Sequence, residues 1–236
     1  MLSLETALLV IYVLAEHSAL VLGMPRLAVG AVGLLAVMVL LAPLRARRAW
    51  AWIAVLLVAG ALAMPGAQRW ASIALLLPPT IVNAALAWLF GHTLFGGRMP
   101  LVERMVRLLH EPEPVDDAAV LAYARRVTGI WALLLGFNAL ASFLLALLAV
   151  PGGLLDASGI RPAWPVPIRW WSAFSNLGCY VLVACLFVVE YAVRRRLFPW
   201  QPYRNLFDFL ARAARIGPRL ATQLAAERAA RRGAPR

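Results

Sequence analysis

Apolar runs of about eighteen residues or more recur along this chain, each closed by a short arginine-bearing segment, and such a run has one stable setting, a helix across a bilayer. The composition agrees. Hydrophobic residues make up 63% of the 236 and charged residues 14%, whereas a soluble globule is nearer half apolar and a quarter charged. A soluble enzyme, a disordered tail and a disulfide-stapled secreted domain are excluded. The fold expected is all-α: a polytopic membrane helix bundle of about six spans with amphipathic helices at the interface.

The spans are read at residues 6–22, 27–44, 49–64, 71–90, 127–149 and 170–193. Gly23 and Pro25, Pro43, Pro65-Gly66, Gly96-Gly97 and the Pro/Gly-rich stretch 151–167 separate them. All 23 basic residues are arginine, and they fall unevenly between the two sets of loops. Nineteen lie on one side: Arg45, Arg47 and Arg48, then five from Arg98 to Arg126, then eleven from Arg194 onward. Four, Arg26, Arg69, Arg161 and Arg169, lie on the other. The positive-inside rule then puts both termini in the cytoplasm of a bacterial inner membrane. Trp50, Trp52, Trp70, Trp88, Trp131, Trp164, Trp170 and Trp171 fall near span ends and are expected as interface anchors.

In a soluble chain a formal charge of +12 would raise nucleic acid as a partner. Here the arginines mark helix ends and loops, so membrane lipids are the expected partner and nucleic acid is not. Cys179 and Cys185 are six apart in one apolar run, about 600° around a helix, so they cannot bridge within it and read as small packing residues. The first residues, Met1-Leu2-Ser3-Leu4-Glu5, lack the basic start of a signal peptide, so the first apolar run is expected to be retained.

Two regions outside the spans carry helical periodicity. Within the connection 91–126, Pro100 is a natural first helical residue, and Leu101, Met105, Leu108 and Leu109 share one face. Glu103, Arg104, Arg107 and His110 are expected on the other, which would lay this helix in the cytoplasmic interface. Asp116 or Asp117 should cap the helix that follows. The organisation is therefore a six-span domain over 1–200, with its amphipathic loop at about 96–126, and a basic amphipathic tail over 201–236, where a membrane-surface helix and one docked on the protein's own loops are both open.

An ionisable group at membrane depth is costly unless paired or wet, and so is a functional candidate by default. Glu16 and His17 sit near the middle of the first span, and Asn83 and Asn138 come out at similar depth. One reading has these four lining an internal cavity; the other makes the asparagines interhelical glue. Glu190 precedes Arg194 by one turn and is expected to pair with it. Pro78-Pro79 interrupts the fourth span, so the carbonyls of Ala74 and Leu75 need new partners. Gly30 and Gly33 permit close helix contact, within the chain or between chains, and leave the oligomeric state open.

The three histidines, His17, His92 and His110, are dispersed, so no metal site is expected; no nucleotide, nucleophile-elbow or dinucleotide motif implies a cofactor either, and a catalytic residue set is unknown. His110 to Asp116 is one residue too long for an acyltransferase H-x4-D signature. His92, reachable from cytoplasm and headgroups, could act as an acid or base or merely cap its helix.

Phe90-Gly91-His92-Thr93-Leu94 followed by Gly97-Arg98-Met99-Pro100-Leu101, then Tyr123-Ala124-Arg125-Arg126-Val127-Thr128 with Trp131-Ala132, resembles a family of uncharacterised bacterial inner-membrane proteins. Trp171-Ser172-Ala173-Phe174-Ser175-Asn176, Glu190-Tyr191-Ala192-Val193-Arg194-Arg195-Arg196 and Phe198-Pro199 resemble that family's last span. His92 stands where the family more often has Arg. The family is typically encoded in gene clusters for aryl polyene and xanthomonadin-type pigments, beside acyl carrier proteins, ketosynthases and acyltransferases. That resemblance implies a context without an activity. The protein is then expected as a platform for carrier-bound acyl or polyene intermediates, with acyl carrier proteins and other biosynthetic enzymes as partners and Arg98, Arg104 and Arg107, with His92, at the cytoplasmic interface. A membrane-embedded acyl- or lipid-handling enzyme using Glu16-His17 or His92, and a lipid or metabolite transporter working through the kinked fourth span, are the alternatives.

Overall fold

The structure is a computed structural model that describes residues 24–109 and 117–198, with scattered positions among 7–19 and 215–223. The protein is all-α. Helices α1 (Pro25–Arg45), α2 (Ala49–Ala63), α3 (Ala67–Leu75) and α4 (Pro78–Gly91) lead through a 3-10 turn (His92–Leu94) to α5 (Leu101–Leu109). Then come α6 (Ala118–Leu148), the short α7 (Leu154–Ala157), and α8 (Ile168–Ala173), which passes through a π turn (Phe174–Gly178) into α9 (Cys179–Leu197). Two-residue strands β1 (Ala149–Val150) and β2 (Val166–Pro167) pair in parallel.

Four stretches are long and apolar enough to cross a membrane: Arg26–Arg45, Ala71–Leu94, Ala118–Leu148 and Ile168–Leu197; α2, at 15 residues, is a shorter apolar helix. Most of the expected first span, 6–22, lies outside the described residues, as do 199–214 and the last residues of the tail. The surface is that of a membrane protein. Leu133, Phe137 and Leu140 on α6 and Tyr180, Val188 and Val189 on α9 are exposed, an apolar coat that water would not tolerate over this length.

Turn chemistry places the helix ends. Helix α1 closes with the two bonds of a Schellman motif: Arg47 N–H donates to Leu44 O at 2.9 Å and Arg48 N–H to Pro43 O at 3.0 Å. Arg47 occupies the left-handed position, φ 51°, where glycine is usual. Between α2 and α3, Ala67 N–H closes a turn onto Met64 O at 3.1 Å, with Gly66 at φ 85°, the conformation that a type II turn demands of the residue after its proline. Pro78 and Pro79 start α4 rather than kink a continuous helix, at positions where the missing N–H groups cost nothing. The expected orphan at Ala74 is met locally: its carbonyl accepts from Leu77 N–H at 3.4 Å.

By contact the chain divides into two units, one of Met1–Asn83 with Asn138–Cys179 and the other of Ala84–Phe137 with Tyr180–Arg236. In the first, Tyr12, Ala19, Ala28, Ala31, Ala71 and Leu75 form one buried cluster, and small side chains let these helices close up. Gly33 faces α2 within the chain, where an added Cβ would make ordinary contact with Leu62 at 3.6 Å. A second cluster holds Leu76, Ala146 and Trp171. In the other unit Trp131 packs between Phe90 and the edge of Phe187, with ring centroids 6.0 and 4.5 Å away.

Two of the expected interface anchors are therefore core residues. Trp131 and Trp171 are buried, whereas Trp50, Trp52, Trp88, Trp164 and Trp170 are exposed. The proximity of a tryptophan to a span end does not say which way its ring points, and these two lie on the packed faces of their helices. Cys179 is buried as expected, but Cys185 is exposed. Replacing Trp171 with alanine should lower stability by about 3 kcal/mol or more through the cavity it leaves. Trp88→Ala, at a ring 71% exposed, should leave the melting temperature of the detergent-purified protein within a degree or two.

Candidate functional site

The most connected polar structure in the second unit is a latch that docks helix α5. The first N–H groups of a helix have no partner of their own. Here the first two are met by threonines from elsewhere: Leu101 N–H donates to Thr93 Oγ1 at 3.1 Å and Val102 N–H to Thr128 Oγ1 at 3.2 Å. Each hydroxyl in turn donates a hydrogen bond to a carbonyl one turn back, Thr93 to Phe90 and Thr128 to Ala124. Two arginines close the other loose end, the carbonyls where α4 and its 3-10 turn run out: Arg98 donates to His92 O at 3.0 Å and Arg125 to Leu94 O at 2.7 Å. A guanidinium also suits the negative end of a helix dipole. The apolar side of α5 is covered by Val120, Tyr123 and Phe198 around Val106.

This docking changes the expected faces of α5. Arg104, assigned from its spacing to the polar side, is buried at 6% exposure, together with Val106 and Leu108, while Met105 and Leu109 are only partly covered. The helix is clamped by protein on more than one side, so a two-faced wheel misplaces it. Arg107 pairs with Glu103 at 3.0 Å in a half-exposed i,i+4 bridge, and His110 lies outside the described residues. Asp117 caps α6, accepting from Ala119 N–H at 2.8 Å.

Close to the latch, Glu190 and Arg194 form the expected pair at 3.1 Å, both nearly buried. The Tyr123 hydroxyl donates toward Glu190 at 3.4 to 3.5 Å and stacks edge-on against Phe198. Burial makes this pair intolerant of losing one partner.

The first unit holds a different arrangement, a seam of small polar side chains where the last span passes through its π turn. Asn138 donates to Cys179 O at 3.5 Å, Ser175 donates to Ser142 Oγ at 3.2 Å, and Ser142 lies 3.7 Å from Cys179 Sγ. Asn138 is 0% exposed and its Oδ1 has no partner. Buried orphan acceptors are uncommon, and π turns concentrate at functional positions. Asn138 and Ser142 are four apart, and Ser172, Ser175 and Cys179 are three and four apart. That spacing was readable as two matching polar stripes, though only Asn138 stood out by residue type.

The remaining candidates are placed as follows. Glu16 and His17 lie outside the described residues. Asn83 belongs to the same unit as Asn138 but donates to Pro79 O in its own helix at 2.8 Å, and no hydrogen bond joins the two asparagines among the described residues. His92 presents Nδ1 to Trp88 O at 2.8 Å and stacks on the Trp88 ring, so this nitrogen is the donor and the ring serves its own helix. Among the described residues no three His, Cys, Asp or Glu side chains come together as a metal site. No protein-family model, curated protein or solved structure matches the chain.

The latch fixes backbone; the seam offers one unmet acceptor. Thr128→Val should cost about 1–3 kcal/mol, and hydrogen exchange should report faster exchange at the Val102 amide than at the rest of α5. Glu190→Ala should cost about 3 kcal/mol or more by stranding the Arg194 guanidinium, against a smaller loss, about 1 kcal/mol, for Glu103→Ala at the more open pair, a contrast that thermal denaturation can read.

Proposed function

We propose that the chain is an accessory protein of a bacterial inner membrane, with both termini in the cytoplasm. Its arginine-rich cytoplasmic face holds acidic acyl carrier proteins, and the long apolar chains they bear, against the bilayer that receives the product. The observation that carries this reading is the distribution of arginine, nineteen on one side and four on the other, with no lysine. Such a face draws an acidic partner from solution and orients it, and its pull weakens with salt. The resemblance to proteins from pigment and polyene gene clusters supports the same class of partner, because a polyene released into water would aggregate.

Of the three arginines expected to dock a carrier, Arg104 is buried, Arg98 is held by a backbone carbonyl and Arg107 is matched by Glu103. These serve the chain itself. The docking role passes instead to exposed arginines at the same ends of the spans, Arg126, Arg195 and Arg196 in one unit and Arg47 and Arg48 in the other. The partners remain carrier proteins and membrane lipids.

The test uses the full chain in lipid nanodiscs and a purified acyl carrier protein bearing a long acyl chain. Arg126→Gln with Arg195→Gln and Arg196→Gln should weaken binding by about tenfold at low salt. Arg161→Gln with Arg169→Gln, on the opposite side, should not. Equal binding by both triple and double variants would remove the proposal.

A further inference from the structure

In the first unit a half-open cavity of about 490 Å³ lies where α1 begins and α2 turns into α3. Its volume is in the range of small-molecule sites. The walls are Val29, Leu62, Met64, Pro65 and Gly66, and the charged member of the lining is Arg26, which is exposed. Among the described residues no carboxylate pairs with it.

Helix geometry explains the shape. Positions 26, 29, 30 and 33 share one face of α1. At Gly33 an added Cβ would come within ordinary contact, 3.6 Å, of Leu62, so α1 and α2 lie side by side there and Leu62 forms the floor. Beside Val29, the exposed Gly30 leaves the surface of α1 bare next to the cavity, since a Cβ built there meets nothing within 4 Å; this open strip is the slot. The type II turn at Met64–Ala67 forms the rim opposite Arg26. The result is a half-open slot lined by apolar side chains, with one guanidinium at its mouth, at the N-terminal end of the long apolar helix α1.

We propose that this cavity binds one phospholipid of the outer leaflet, its phosphate on Arg26 and an acyl chain in the slot beside Val29, Gly30 and Leu62. A guanidinium matches the paired oxygens of a phosphate diester, and the apolar slot matches a methylene chain. A water-soluble anion would use only the arginine and leave the apolar walls wet; a neutral diacylglycerol would use only the walls. The site lies at the ends of α1 and α2 opposite Arg47 and Arg48, and its assignment to the outer leaflet rests on the orientation proposed above.

The experiment is native mass spectrometry of the full chain purified in mild detergent, titrated with palmitoyl-oleoyl phosphatidylglycerol, palmitoyl-oleoylglycerol or inorganic phosphate. One phosphatidylglycerol should be retained per chain, at least about tenfold more tightly than either fragment of its chemistry. Arg26→Gln should lower retention by about tenfold, and Arg161→Gln should not. Gly30→Leu fills the slot without displacing any native neighbour, so it should lower retention with no fall in melting temperature. Undiminished retention by Arg26→Gln or by Gly30→Leu would mean that the lipid is only part of the general lipid shell, and tight binding of inorganic phosphate alone would make this a small-anion site; either result overturns the proposal.

Discussion

Hydrocarbon gives a polypeptide no hydrogen-bond partner, so every polar atom carried into it must be matched by another atom of the same chain or by a partner brought along. The architecture follows from that requirement. Each long helix satisfies its backbone internally, and the difficult places are the helix ends and the few polar side chains between them. The ends are met by three devices: a Schellman closure at Arg47, prolines at the start of α4 where no donor is needed, and threonines that supply acceptors to the first turn of α5. Arginines complete the set by donating to the carbonyls at the end of α4 and its 3-10 turn.

Arginine consequently does two jobs in this molecule. Some, such as Arg98, Arg104 and Arg194, are part of the packing or bonding that holds helices together. Others, such as Arg126, Arg195 and Arg196, face outward and give the protein its field. Residue type alone does not separate the two, because the same guanidinium fork that reads a carboxylate on a partner also reads a carbonyl at a helix end. Mutating arginines in bulk would therefore confuse loss of docking with loss of fold.

The features legible in the sequence are those that depend on one-dimensional chemistry. The fold class and the four long spans were legible, because their apolar content is a property of consecutive residues. So were Pro65-Gly66 as a turn, a cap at Asp116 or Asp117, of which Asp117 caps α6, and Glu190 as the partner of Arg194, each a matter of spacing of four or less. Facing was not legible. Trp131, Trp171 and Arg104 were assigned outward and lie inward, because which side of a helix is covered depends on neighbours tens of residues away. In membranes this ambiguity is severe, since lipid-facing and core-facing positions are equally apolar and periodicity loses its contrast. The role of Asn138 was half visible: its depth could be counted, but its tie to Cys179 and its unmet oxygen could not.

Helix α2 is only 15 residues long. At about 1.5 Å per residue it reaches roughly 22 Å, against about 30 Å of hydrocarbon in a typical bilayer. Where such a rod crosses, the two leaflets are drawn toward each other or the rod's neighbours lean to shelter it. A rod this short suits a thinner sheet than its longer neighbours do, so α2 is the element of this chain at which lipid tails would be most compressed and headgroups would ride closest to the midplane.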